Sequence, residues 1–167
     1  MTNDPPPPLS TPGPRRESRA TTTAQVILLV EDNDDDAVLT RMAFEKARIN
    51  NPVVRVCDGV EALDYLFARE AFSGRKTADL PVVVLLDLQL PRVNGIEVLK
   101  AIRADARTKN LPVVILTSSA EDKDRLAAYA HYTNSYVQKP VDYNEFVETA
   151  RQLGLYWALL NLPAPTA

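Results

Sequence analysis

The sequence predicts a doubly wound α/β fold built on a five-stranded parallel sheet. Three observations point to it. Five short runs rich in β-branched and apolar residues recur along the chain, separated by helical stretches of about 10 to 15 residues. Three of these runs are almost wholly apolar, as strands become when helices cover both faces of a parallel sheet. Strand and helix alternate strictly, five of each, with no internal repeat, and such alternation winds helices onto both sides of the sheet.

The first strand is expected at Val26 to Val30 and is followed by a helix from about Asp35 to Ala47, capped by Asp34 or Asp35. Ala37, Val38, Met42 and Phe44 supply the apolar positions of that helix, with Met42 and Phe44 expected in the core. Val53 to Val56 forms the second strand and Gly59 to Arg69 the second helix, where Leu63 and Leu66 are expected core positions. Val82 to Leu86 is the third strand; Asn94-Gly95 then reads as a turn into a helix ending near Arg103. Val113 to Leu116 and Tyr136 to Gln138 complete the sheet, and helices are expected at Asp122 to Tyr132 and Tyr143 to Leu160. Before all of this, residues 1 to 24 hold six of the 13 prolines and few apolar side chains, so they are expected to be a disordered tail. The folded domain is expected over 25 to 162, with 163 to 167 a short terminal tail.

Composition narrows the function. At 167 residues the chain has room for one ordinary domain, and 46 % hydrophobic with 25 % charged residues is the balance of a globular protein. The net charge is −3 and no basic stripe appears, so the electrostatic footprint of nucleic-acid binding is missing. Cys57, the only cysteine, can form neither an internal disulfide nor a thiolate metal site, and is expected to be a core thiol in a reducing compartment. His131, the only histidine, is expected on the surface or in a loop. No apolar stretch reaches the roughly 18 residues of a membrane span, and no leader pattern opens the chain, so a cytoplasmic location is expected.

In a doubly wound sheet, ligands bind at the carboxyl ends of the strands. Here the first strand ends in Glu31 and Asp32, the third in Asp87, the fourth in Thr117 with Ser118 and Ser119, and the fifth runs into Lys139. Three carboxylates gathered at one edge repel one another unless a cation offsets them. An all-oxygen donor set without histidine or thiolate favours Mg²⁺, with Mn²⁺ as an alternative. Beside such an ion a carboxylate can attack phosphorus to form an aspartyl phosphate. Lys139 then pairs with a phosphoryl oxygen, and the Thr117 hydroxyl donates to another.

The stretches Ile27 to Asn33, Leu85 to Gly95, Val114 to Ser119 and Tyr136 to Pro140 resemble, in order, the motifs of the receiver domain of two-component response regulators. The resemblance runs from Val26 to Leu160 and implies the flavodoxin-like strand order 2-1-3-4-5. It implies that Asp87 is the phosphoacceptor and that Glu31 and Asp32 hold the metal with Asp87 and the backbone carbonyl of Gln89. It further implies that Thr117 is the switch hydroxyl, Tyr136 the aromatic that moves with it, and Lys139 the phosphoryl-stabilising lysine. Gln89 and Ser119 flank the site and are expected to tune dephosphorylation. The donor is then a histidine kinase. Asp58 to Leu66, the link Ala71 to Leu80, and Tyr156-Trp157 through Leu162-Pro163 are similar to regulators that partner bacterial phytochromes, which points to a bacteriophytochrome. The stretch Ala130 to Asn134 departs from the family by lacking Gly-Ala before the last strand.

Rival readings fit less well. An aspartyl-phosphate hydrolase usually carries a second Asp two residues on, where this chain has Gln89. A nucleotide or flavin module needs a Gly, Ser or Thr-rich cradle after the first strand, where this chain has Glu31 to Asp36. The complete acidic, hydroxyl and lysine set argues against a degenerate receiver. Only seven residues follow Leu160, so the expected output is protein contact, and the only chemistry expected is the chain's own phosphorylation and autodephosphorylation. Leu155, Tyr156, Leu159 and Leu162 belong to a helix end apolar on nearly every side, so a homodimer through the last strand and last helices is expected.

Overall fold

Five parallel strands lie in the order β2-β1-β3-β4-β5, with β1 at Ile27–Val30, β2 at Val53–Val56, β3 at Val83–Leu86, β4 at Val113–Thr117 and β5 at Ser135–Gln138. The helices between and after them are α1 Asp34–Lys46, α2 Gly59–Leu66, α3 Gly95–Ala104, α4 Asp122–Ala130 and α5 Tyr143–Gly154. This computed structural model describes residues 25–162. The tails expected at 1 to 24 and 163 to 167 lie outside the described residues.

Strand side chains alternate between two cores. Leu28, Val30, Val84, Leu86, Val113 and Ile115 pack with Tyr65 and Leu66 of α2, Val98, Leu99 and Ile102 of α3, and Ala128 of α4. Ile27, Leu29, Val83, Leu85 and Val114 face the other way, onto Ala37, Ala43 and Phe44 of α1 and Phe146, Val147 and Ala150 of α5. The central strands are therefore buried on both faces, which is why they read as unbroken apolar runs. Gly154 lets α5 approach α1 closely, because a Cβ there would overlap Ile49 and Phe44. Among the described residues no helix is long and apolar enough to cross a membrane.

Several expectations are corrected. Asn33, not Asp34 or Asp35, caps α1, its side chain accepting from the Asp36 N–H at 3.0 Å. Val38 and Met42 face solvent, because the buried stripe of α1 runs through Ala37, Thr40, Ala43 and Phe44. Polar Thr40 fits there by donating its hydroxyl to the Asp36 carbonyl at 2.8 Å. Cys57 is exposed rather than in the core, since it lies just past the end of the edge strand β2. The second helix stops at Leu66, and a 3₁₀ turn at Glu70–Phe72 follows it. The last helix is α-helical only to Gly154; Leu155–Leu160 continue as a π-helical turn.

Candidate phosphoacceptor site

Strand register decides which side chains meet. Val30 stands beside Leu86, so Glu31 and Asp87 are the next residues out along neighbouring strands. Thr117 stands beside Gln138, so Lys139 emerges next to them. Glu31 and Asp87 continue the alternation of Leu29 and Leu85, residues that face α1, and they open on the side where α1 begins.

Lys139 is the hub. Its Nζ lies 2.6 Å from Glu31 Oε2, 2.8 Å from Asp36 Oδ2 and 2.8 Å from Asp87 Oδ2. Burial works against the ammonium, but bonds to three carboxylates overcome it and hold the Lys139 pKa above its usual range. Glu31 moves the opposite way from a typical ion-paired acid. Burial raises its pKa, the Lys139 bond offsets this only in part, and the neighbouring Asp87 adds to the rise.

The Asp87 carboxylate is held on both oxygens. Oδ1 accepts from the Thr117 hydroxyl at 2.8 Å and the Gln89 N–H at 3.0 Å, while Oδ2 faces Lys139. Gly95, the first residue of α3, donates its N–H to the Leu88 carbonyl at 3.0 Å, and a Cβ there would collide with the Asp87 carbonyl. The loop after β3 can fold back onto its own start only with glycine at that position.

From Asp87 a chain of hydrogen bonds leads away through Thr117. The Ser119 N–H donates to Thr117 Oγ1 at 3.3 Å, and the Tyr136 hydroxyl donates to the Ser119 carbonyl at 3.2 Å. The Ser119 hydroxyl is already engaged, donating to Asp124 at 2.6 Å, whereas the Gln89 side chain is exposed beside the site. Tyr136 is half-buried against the core beneath α2, α3 and α4.

Glu31, Asp32 and Asp87 each bring a carboxylate oxygen within 4.8 Å of the others. Asp32 is the exposed member, and Arg55 of β2 steadies its backbone by donating to the Glu31 and Asp32 carbonyls at 2.9 and 3.1 Å. Arg55 also pairs with Asp34 at 2.7 Å. One ammonium faces more carboxylates than it can neutralise, and every available donor is oxygen, so a hard divalent cation fits this set.

The structure brings together Glu31, Asp32, Asp87, Thr117 and Lys139, with Gln89, Ser119 and Tyr136 at the margin. It places Tyr156, Leu159 and Leu162 on the surface at the far end of α5, while Leu155 is half-buried against the molecule's own core. Sequence reasoning missed Asp36, whose neighbours Asp34 and Asp35 are exposed. A signal was present: Asp36 is spaced by four and seven residues from Thr40 and Ala43, on the buried stripe of α1.

A doubly wound sheet bearing an aspartate, an acidic pair, a hydroxyl and a lysine at its carboxyl edge defines a class of phosphoryl-accepting signalling domains. Residues 27–151 match the response regulator receiver domain, and the chain belongs to that family. It is a response regulator of the two-component type, whose signalling depends on phosphorylation. The probable methanogenesis regulatory protein FilR2 of Methanothrix harundinacea is 42 % identical over 121 residues, 72 % of this chain and 76 % of that protein. Response regulator Rcp1 of Synechocystis is 30 % identical over 127 residues, 75 % of this chain and 84 % of that protein. A crystal structure of the Mn²⁺-bound form of response regulator Rcp1 superposes with a TM-score of 0.78 at 28 % identity, covering 84 % of this chain and 99 % of that one. The bacteriophytochrome response regulator AtBRR is 46 % identical with a TM-score of 0.65, covering 83 % of this chain and 98 % of that one.

Proposed function

We propose that Asp87 accepts a phosphoryl group from the phosphohistidine of a histidine kinase. The observation that carries this reading is the convergence of Thr117, the Gln89 N–H and Lys139 on the two oxygens of one buried carboxylate. An Asp87 oxygen bonds to phosphorus as the phosphorus–nitrogen bond breaks, and the departing imidazole takes a proton from water. Thr117 and Lys139 are positioned to meet the phosphoryl oxygens. Glu31, Asp32 and Asp87, with the Gln89 carbonyl, would hold Mg²⁺ or Mn²⁺, which supplies positive charge against the transferring phosphoryl group. The Mn²⁺-bound form of Rcp1 supports that ion choice.

As Thr117 turns to the phosphoryl group, the Thr117–Ser119–Tyr136 chain passes the change to the surface around α4 and β5. Gln89 and Ser119 tune the lifetime of the modified state. The chain catalyses only its own phosphorylation and autodephosphorylation. Similarity to the bacteriophytochrome response regulator AtBRR supports a bacteriophytochrome as the kinase. The exposed apolar turn after α5 supports a homodimer, with Tyr156, Leu159 and Leu162 at the contact and Leu155 behind them.

Incubation with acetyl phosphate and Mg²⁺, followed by mass spectrometry, tests the assignment. The wild type is expected to gain one phosphoryl group and Asp87→Asn none. Equal uptake by both would place the acceptor elsewhere.

A further inference from the structure

We infer that Asp36 is a positioning residue of the phosphorylation reaction: it holds the Lys139 ammonium in the resting site and gives it up to the incoming phosphoryl group. The inference rests on the reading of Asp87 as phosphoacceptor and concerns how Lys139 becomes available to it.

An ammonium has three N–H donors. All three are in use, on Glu31, Asp36 and Asp87. A phosphoryl oxygen can bond Lys139 only if one of those carboxylates lets go. The Glu31 and Asp87 side chains are 3 % and 7 % exposed, so releasing either leaves a buried carboxylate without that counter-ion. The Asp36 side chain is 26 % exposed, and water can take over its bond.

The local structure of α1 leaves Asp36 free for this duty. At the third position of a helix an acidic side chain often reaches back to the N–H of the capping residue. Here the Asn33 N–H is satisfied by Glu31 Oε1 at 3.1 Å instead. Asn33 in turn bonds the Asp36 N–H, and the nearby guanidinium of Arg55 goes to Asp34. The Asp36 carboxylate is thus turned to Lys139, and after release it still sits in the first turn of α1, where the helix dipole favours negative charge.

The test compares wild type, Asp36→Asn and Asp36→Ala in the full chain at saturating Mg²⁺, with acetyl phosphate as the donor and mass spectrometry as the readout. In the reaction an Asp87 oxygen bonds to phosphorus, the bond from phosphorus to the acetyl oxygen breaks, and acetate leaves with the electron pair. Both variants are expected to take up phosphoryl about three- to tenfold faster at subsaturating donor, the scale of the net worth of one hydrogen bond that the phosphoryl group no longer has to displace. In a Lys139→Met background the Asp36→Asn substitution is expected to change nothing, because Asp36 acts through Lys139; a merely structural role would persist there. Rates in both single variants that equal or fall below wild type overturn the inference, as does an acceleration that survives without Lys139. If the wild type takes up no phosphoryl group, the parent assignment of Asp87 fails and this inference falls with it; if only the Asp36 variants disappoint, the parent assignment stands.

Discussion

Thr117 is fully buried at the end of β4, and its hydroxyl meets Asp87 Oδ1 at 2.8 Å. The same oxygen atom of Thr117 accepts the Ser119 N–H, so one side chain ties the proposed acceptor to the loop that holds Tyr136. Thr117→Ala is expected to cost about 1 to 3 kcal/mol, because a buried charge-assisted bond is lost. It should still take up phosphoryl from acetyl phosphate, since Lys139 and the Gln89 N–H remain on Asp87. What should fail is the change in the Tyr136 ring resonances on phosphorylation, with Thr117→Ser restoring it. A full Tyr136 response in Thr117→Ala would show that the signal leaves Asp87 by another route.

The second prediction concerns Lys139 and divalent metal. Replacing Lys139 with Met strips the ammonium from Glu31, Asp36 and Asp87, leaving two buried carboxylates uncompensated. Without divalent cations the variant should lose about 3 to 5 kcal/mol at neutral pH. Mg²⁺ should then raise its melting temperature more than that of the wild type, because the ion no longer competes with an ammonium; at 100 times Kd a ligand contributes about 2.7 kcal/mol. Acid should also relieve the variant. Burial has raised the Glu31 pKa, so the native state holds that proton more tightly than the unfolded chain, and the cost of ionising it appears as pH rises from 4.5 through the folded value. Melting curves with and without Mg²⁺ at neutral and acidic pH check both statements. A Mg²⁺ effect no larger than in wild type would count against the carboxylate cluster as the metal site.

How much of this was legible in the sequence follows from where each residue sits. The strands β1, β3 and β4 could be read because burial on both faces leaves them almost wholly apolar. The strand-end residues Glu31, Asp87, Thr117 and Lys139 could be read because parallel pairing forces them onto one edge. Cys57 could not, since the valines of β2 read the same at the edge of a sheet as at its centre. Met42 could not, because the buried stripe of α1 includes Thr40, whose hydroxyl finds a backbone partner within the helix. Asp36 was hidden for a different reason: its partner Lys139 is 103 residues away, and only topology brings them together. The π-helical turn at Leu155–Leu160 is as apolar as an α-helical continuation would be, so periodicity cannot separate the two.

A third prediction uses the bridge between α2 and the loop that carries Asp87. Asp58 caps α2 by accepting from Val60 and Glu61 at 2.8 and 2.9 Å, and it pairs with both Nε and Nη2 of Arg92. Arg92 needs that anchor, because its φ of 63° lies in the left-handed region that disfavours side chains. Burial alone would raise the Asp58 pKa, but Arg92 and the two backbone N–H groups overcome it and the pKa falls below 3.8. The stability it contributes is therefore fully present above 3.8 and is lost as pH drops through the lower folded value. Asp58→Ala should cost about 0.5 to 2 kcal/mol at neutral pH, the usual value of a cap. In urea titrations the gap between variant and wild type should close as the solution is taken below the folded pKa of Asp58. A gap that stays constant with pH would mean that its charge does not matter.

The last prediction concerns the surface beyond α5. In the turn Leu155–Leu160, Trp157 and Ala158 point into the core beside α1 and α5, so part of the apolar excess is absorbed within the molecule. Tyr156, Leu159, Leu160 and Leu162 are not absorbed; Leu159 is 56 % and Leu162 89 % exposed. Four large apolar side chains lie exposed within one short stretch, and fully burying a leucine is worth about 1.5 to 3 kcal/mol. A two-fold contact lets two copies of the same patch cover each other. Light scattering at micromolar concentration should therefore report a dimer. Leu159→Glu should shift it to monomer while leaving the melting temperature of the monomeric fold nearly unchanged, because Leu159 supports nothing in its own core. A wild type that stays monomeric at every accessible concentration would remove the homodimer and leave this patch for a different protein to cover.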